Sequence, residues 1–143
     1  MELPTALTIL NTNNDNFAPY DADSVDDAWQ VLHFGLNDAL HGRGDADADG
    51  DGTSNLLEWA AGTDPLSAGS KLGFMTTSAQ ANGTFQFTFS SVIGKSYHIE
   101  RSTNLLSWTI LTTVTATDVV TGYTDNATPA GKAFYRIEPV LVP

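Results

Sequence analysis

Hydrophobic and polar residues follow two different periods along this chain. Before residue 62, apolar side chains recur at the three-to-four-residue spacing of a helix, which predicts helices at 26–34 and 55–61. Asp26 or Asp27 can serve as the N-cap of the first helix. A glycine directly follows each helix, where a left-handed conformation commonly ends it. The first half of the chain is therefore expected to contain two short helices.

After residue 71 the period changes to two. In the run 84–89, three phenylalanines alternate with polar residues, which places the three rings on one face of a strand. Turn residues divide the remainder into short strands at 96–102, 108–115, 120–124 and 133–140. Such spacing predicts a small all-β sandwich of the immunoglobulin or fibronectin III kind, with fewer strands than a complete immunoglobulin domain. The residues expected in its interior are Phe85, Phe87, Phe89, Ile99, Ile110 and Ile137.

The charge changes at the same place as the period. Residues 1–70 contain 13 acidic residues and 1 basic residue, whereas residues 71–143 contain 4 acidic and 5 basic residues. The predicted fold class is therefore α+β. It has a helical, EF-hand-like segment at 1–65 with a lead-in strand at 3–10, a linker at 66–71 and the sandwich at 72–143.

Composition excludes several classes of function. The net charge of −11, without a cluster of Lys or Arg, excludes nucleic acid as a partner. The absence of cysteine excludes disulfides and thiolate zinc sites. No apolar run approaches the roughly 20 residues that span a bilayer. The start Met-Glu-Leu-Pro has no basic and apolar leader, so we expect a fragment of a larger protein.

The densest group of acidic residues has the spacing of an EF-hand calcium loop. Such a loop takes oxygen ligands at positions 1, 3, 5, 7 and 9, has glycine at position 6 and ends with a bidentate glutamate at position 12. Counting from Asp47 matches every position, whereas counting from Asp45 puts Leu56 at position 12 and fails. The predicted Ca²⁺ ligands are Asp47, Asp49, Asp51, Thr53 (through its carbonyl), Asn55 and Glu58.

Residues 47–65, Asp-Ala-Asp-Gly-Asp-Gly-Thr-Ser-Asn-Leu-Leu-Glu-Trp-Ala-Ala-Gly-Thr-Asp-Pro, resemble thrombospondin type 3-like and dockerin-like calcium repeats of exported bacterial proteins. The preceding Asp-Ala-Trp at 27–29 and Phe-Gly at 34–35 add to the resemblance. It implies an earlier calcium loop, here at 19–30, that has lost its first aspartate, its glycine and its closing glutamate. Asp21, Asp23 and Asp27 are then candidates for a weak second metal site, or serve only helix capping and solubility.

The same resemblance implies that a small sandwich follows the repeats and that the parent protein is secreted or displayed on a bacterial cell surface. No nucleophile motif is present, and the remaining carboxylates form no recognisable catalytic pair, so we expect no enzymatic activity. The leading hypothesis is a calcium-stabilised structural or adhesion module whose partners are calcium and a neighbouring domain of the parent protein. A dockerin-like protein-binding module is one alternative.

A carbohydrate-binding module is the other alternative. Four aromatic residues lie on predicted strands or their ends, where an exposed row of rings would stack on sugars of a polysaccharide. The same residues also suit the core of a small sandwich, and both interpretations stay open. The four residues are Trp108, Tyr97, Tyr123 and Tyr135.

Overall fold

The computed structural model describes residues 23–36 and 38–141 of the 143 residues. The predicted strand at 3–10 lies outside them. The chain divides into two compact units: among the described residues, the first unit comprises 23–36, 38–59 and 65–68, and the second comprises 60–64 and 69–141.

Within the described residues, three short helices precede the strands: α1 (Asp27–Phe34), α2 (Ala39–Gly42) and α3 (Asn55–Ala61). The predictions of α1 and α3 are confirmed. The Asp26 side chain caps α1 by accepting a hydrogen bond from the Trp29 N–H at 3.0 Å, and Gly35 follows α1 with a φ of 71°. The four-residue helix α2 was not predicted, because its polar, glycine-containing sequence shows no helical period.

In the part of the chain that the structure describes, six strands form two antiparallel three-stranded sheets. The strands are β1 (Phe74–Ala79), β2 (Phe85–Ser90), β3 (Ser96–Ser102), β4 (Thr109–Thr115), β5 (Val120–Asp125) and β6 (Phe134–Pro139). One sheet has the order β1-β2-β5 and the other β4-β3-β6. The five predicted strands are confirmed, with small differences at their ends. Strand β1 was missed because all six of its residues are exposed, so its sequence carries no alternation.

Side chains from both sheets form one apolar core. Phe87 and Phe89 come from β2, Tyr97 and Ile99 come from β3, and all four are buried. The rings of Phe89 and Tyr97 meet edge to face with centroids 5.5 Å apart. The prediction for β2 is confirmed, since half-buried Phe85 also packs against this core. Half-buried Ile137 does so from β6.

Ile110 was wrongly predicted to be in the interior, because it is 51% exposed. It pairs with Glu100, whose neighbour Ile99 points into the core. Because successive residues of a strand point to opposite faces and paired residues share a face, Ile110 lies on the outer face. The register between β3 and β4 shifts at this point, and half-buried Leu111 packs on the core instead.

Candidate metal centre

The loop at 47–58 is shaped by hydrogen bonds from its own backbone to Asp47. One carboxylate oxygen of Asp47 accepts the N–H groups of Gly50 at 2.8 Å and Asp51 at 3.1 Å. The other oxygen accepts the N–H of Gly52 at 2.9 Å. Gly50 and Gly52 have φ values of 76° and 93°, which other residues adopt only with strain. The two glycines thus allow the chain to wrap around the first carboxylate.

Three carboxylates converge inside this loop. Asp47, Asp49 and Asp51 each present one oxygen, and these oxygens lie within 4.8 Å of one another. Asp47 is exposed, whereas Asp49 and Asp51 are half-buried. Oδ1 of Asp51 accepts the Thr53 N–H at 2.7 Å. Oδ2 of Asp49 is buried and accepts no hydrogen bond from the described residues. The alternate spacing that suggested a calcium loop therefore brings three of its predicted side-chain ligands together.

The other two predicted side-chain ligands lie in the first turns of α3, and both are fully buried. The Nδ2 group of Asn55 donates hydrogen bonds to the carbonyls of His41 at 2.7 Å and Arg43 at 2.8 Å. These two bonds fix the orientation of the amide, and its buried Oδ1 has no hydrogen-bond partner among the described residues. Glu58 is 0% exposed. It does not belong to the group of three converging carboxylates.

This donor set suits a hard cation. Every predicted ligand is an oxygen, the donor that Ca²⁺ and Mg²⁺ prefer, and the converging group contains no histidine or cysteine that would favour zinc. Calcium ligands lie about 2.3–2.6 Å from the ion, so oxygens on opposite sides of it are about 4.6–5.2 Å apart. The separation of up to 4.8 Å between the three oxygens is compatible with that spacing. The three carboxylates are therefore close enough together to share one cation.

The candidates for a second metal site have a different arrangement. Oδ1 of Asp23 accepts the Val25 N–H at 3.0 Å. Oδ2 of Asp23 accepts Nε2 of Gln30 at 2.8 Å and the N–H of Gly44 at 2.6 Å. Asp27 is buried at the start of α1, and Asp21 lies outside the described residues. Asp23 and Asp27 do not join a group of three metal-ligating side chains in the part of the chain that the structure describes.

The four aromatic residues proposed to bind sugars do not form one exposed row. Tyr97 is fully buried, so the expectation that it contributes to such a surface is wrong. Its hydroxyl donates to the Ala61 carbonyl at 2.8 Å and accepts the Val92 N–H at 2.9 Å, and burial raises the pKa of Tyr97. Half-buried Tyr123 packs against the core.

Trp108 and Tyr135 remain accessible from an open groove of about 330 Å³ in the second unit. The guanidinium of Arg136 lies 4.4 Å from the centre of the Trp108 ring, a cation–π contact. The ring of Tyr135 stacks on that of Phe85 at 4.6 Å. The remaining lining is mostly apolar and comes from Phe74, Thr77, Phe85, Leu105, Ala133 and Phe134.

No model of a known protein family matches this chain, and neither does any curated protein or solved structure. The resemblance to calcium repeats therefore depends on the sequence motifs alone. Within the described ranges, every helix is too short or too polar to cross a membrane.

An ion pair between half-buried Arg101 and buried Asp125 in the second unit was not predicted. Oδ2 of Asp125 accepts hydrogen bonds from Arg101 at 2.6 Å and from the hydroxyl of Tyr135 at 2.9 Å, and Oδ1 accepts the Ala127 N–H at 2.9 Å. Burial alone raises the pKa of Asp125, but these three donors together outweigh burial, and the pKa is lowered. The hydrogen bond to Asp125 raises the pKa of Arg101. The carboxylate is therefore ionised at neutral pH, and no sequence motif marks it.

Proposed function

We propose that this chain is a calcium-stabilised, non-catalytic module of a larger secreted or cell-surface bacterial protein. The observation that carries the proposal is the convergence of oxygens from Asp47, Asp49 and Asp51 within 4.8 Å of one another. Three carboxylates at this separation repel one another, and a divalent cation between them replaces repulsion with attraction. The loop at 47–58 is the binding site, and Asn55 and Glu58 complete the ligand set with the Thr53 carbonyl.

The ion has a structural role in this proposal. The backbone N–H groups of the loop donate hydrogen bonds to the carboxylates, so the ion stabilises a loop conformation that these hydrogen bonds already favour. Asn55 also donates hydrogen bonds to the carbonyls of His41 and Arg43, which links the loop to the end of α2 and the residue that follows it. Calcium outside cells fills even sites with dissociation constants of about 10⁻⁴–10⁻³ M, so modest affinity is sufficient. The second unit is, in the same proposal, a small sandwich of the immunoglobulin or fibronectin III kind.

Calcium titration of the intact protein tests the proposal directly. Calorimetry and native mass spectrometry should show about one calcium ion at the loop per chain, and Asp49→Asn should abolish that binding because it removes a charged ligand. Asp45→Asn is the matched control, since Asp45 precedes the loop and its side chain is 77% exposed. The proposal fails if the wild-type chain gives no heat and retains no ion, or if both variants bind as the wild type does.

The absence of catalysis is tested separately. Assays of the intact chain with calcium against polysaccharides, esters and peptides should show no turnover. A catalytic metal needs an open coordination position beside a base or nucleophile, and the predicted ligands fill about six of calcium's positions. Reproducible hydrolysis that Asp49→Asn abolishes would contradict a purely structural ion.

Carbohydrate binding is a second candidate function, and the groove beside Trp108 favours it. Of the four rings considered, Trp108 and Tyr135 line this one groove. Binding to insoluble polysaccharides should then fall for Trp108→Ala and persist in chelator, because the groove lies wholly in the second unit. If Trp108→Ala leaves the retained fraction unchanged, the groove is not a sugar site.

A further inference from the structure

The segment before α1 repeats part of the geometry of the calcium loop before α3. Asp23 and Asp51 occupy equivalent positions, and Oδ1 of each accepts the N–H two residues further on, from Val25 at 3.0 Å and Thr53 at 2.7 Å. The next residue has a left-handed backbone in both segments. Ser24 has a φ of 69°, and Gly52 has a φ of 93°. The first segment therefore keeps the turn of the calcium loop even though it has lost the glycine.

In the first segment, the second oxygen of the aspartate faces hydrogen-bond donors. Oδ2 of Asp23 receives two N–H groups, from the side chain of Gln30 at 2.8 Å and the backbone of Gly44 at 2.6 Å. The same Nε2 of Gln30 also donates to the Gly42 carbonyl at 2.7 Å, and the residue is 0% exposed. The partial positive charge of these N–H groups compensates the carboxylate. Space at Gly44 is tight, since a Cβ there would lie 2.8 Å from Val25.

We infer that the Gln30 amide takes the place of a cation in the first segment and that residue 30 decides how many ions the chain binds. The inference rests on the proposed calcium function of the loop at 47–58. In that loop, the equivalent residue is the buried carboxylate of Glu58, which attracts a cation. In the first segment, Nε2 of the amide donates hydrogen bonds instead, and its buried Oε1 has no hydrogen-bond partner among the described residues. Loss of the glutamate is thus compensated by donors, and the first segment closes without metal.

Gln30 of the first segment also binds the stretch of backbone that Asn55 of the calcium loop binds. The carbonyl of Gly42 is bound by Gln30 from α1, and the carbonyls of His41 and Arg43 are bound by Asn55 from α3. Three successive carbonyls are therefore held by two fully buried amides, one from each helix. Gln30 is a positioning residue for the chain segment that Asn55 also holds.

Gln30→Glu tests the inference. The substitution places a second carboxylate where Nε2 now lies 2.8 Å from Asp23, with Asp27 buried nearby on the same helix. The group then loses the hydrogen bonds that Nε2 of Gln30 donates and gains a negative charge, so it should recruit a cation. We expect native mass spectrometry in excess calcium to count about one more ion per chain than in the wild type, and calcium to raise the melting temperature more.

Two further variants make the outcome decisive. Gln80→Glu adds the same charge on an exposed residue of the second unit and should leave the ion count unchanged. Gln30→Met removes the donors without adding charge, so it should lower the melting temperature in calcium and in chelator and add no ion. If Gln30→Glu and Gln80→Glu have the same ion count and the same calcium-dependent rise in melting temperature, the inference is wrong.

The same measurements separate this inference from the proposed function. The proposed function depends on whether the wild-type chain binds calcium, whereas the inference depends on the difference between Gln30→Glu and the wild type. A wild-type chain with two ions, of which Asp23→Asn removes one, also overturns the inference but leaves the calcium loop in place.

Discussion

Replacing Asp51 by asparagine should change stability in opposite directions with and without calcium. In chelator, the substitution removes a charge whose oxygen lies within 4.8 Å of oxygens of Asp47 and Asp49. At 4.8 Å, two unit charges repel by about 1 kcal/mol in bulk water and about 3 kcal/mol at an effective dielectric constant of about 20. Asp47 is exposed, which favours the lower value. Loss of two repulsions should therefore stabilise the chelated protein by about 1–2 kcal/mol.

With calcium the sign reverses. Binding to the folded state alone stabilises by RT ln(1 + [Ca²⁺]/Kd), which is about 2.7 kcal/mol at a hundredfold excess over Kd. The Asp51→Asn substitution retains an oxygen for the Thr53 N–H but removes one charged ligand, so most of this gain should disappear. The variant should therefore unfold at a higher temperature than the wild type in chelator and at a lower temperature in saturating calcium.

Thermal unfolding followed by tryptophan fluorescence measures the melting temperature in chelator and in calcium. Trp29 and Trp59 lie in the first unit, so a Trp108→Phe background restricts the signal to that unit. Asp45→Asn is the control, because it removes an equal charge outside the loop and only an exposed ion pair with Arg43 at 3.2 Å. If Asp51→Asn lowers the melting temperature equally in chelator and calcium, repulsion between the carboxylates is not what calcium relieves.

Three further predictions concern the rest of the chain. Phe87→Ala should lower the free energy of unfolding by about 3–5 kcal/mol in urea titrations, because the ring is 2% exposed. Met75 is 59% exposed, so Met75→Ala should change the free energy of unfolding little. The pKa of Asp125 is lowered in the folded state, so the contribution of its carboxylate to the free energy of unfolding is complete above the unfolded pKa of about 3.9. That contribution is lost as pH falls through the folded pKa. In Asp125→Asn, the free energy of unfolding should therefore fall less steeply with decreasing pH. That variant keeps a weaker bond to Arg101 and should be less stable at neutral pH. Ser24→Gly should relieve roughly 1–2 kcal/mol of strain at its φ of 69° and cost roughly 0.5–1 kcal/mol of chain entropy, so the melting temperature should rise. An unchanged melting temperature would contradict strain there.

The features that sequence predicted well depend on residues close together in the chain. Helix α1 has its cap one residue before it and its terminal glycine one residue after it. Strand β2 alternates phenylalanine with polar residues over six positions. The convergence of Asp47, Asp49 and Asp51 likewise follows a local pattern, because alternate residues of a tight turn point inward. In each case the sequence contains all the partners that determine the local structure.

The errors arose where distant partners decide the environment. Tyr97 was considered for an exposed surface, yet its hydroxyl bonds to Ala61 and Val92, and the first of these is 36 residues away. Ile110 has the expected apolar character, but the register shift opposite Glu100 turns it outward. Periodicity cannot anticipate a bulge, because the bulge depends on how two strands pair. Burial of Asp125 with Arg101 depends on two strands in different sheets for the same reason.

Under the proposed calcium function, Gln30 shows why a degenerate metal loop cannot be interpreted by counting lost ligands. By the EF-hand pattern, an amide at position 12 is the loss of a charged ligand, and it predicts a weak or empty site. In the folded chain the same amide supplies hydrogen-bond donors to Asp23 and to the Gly42 carbonyl, which sequence spacing does not identify. A carboxylate turned into the loop requires a positive partner, and both an ion and N–H groups satisfy that requirement. The donors and acceptors around Asp23 therefore determine whether a cation is needed, and only the structure shows that Gly44 joins Gln30 there.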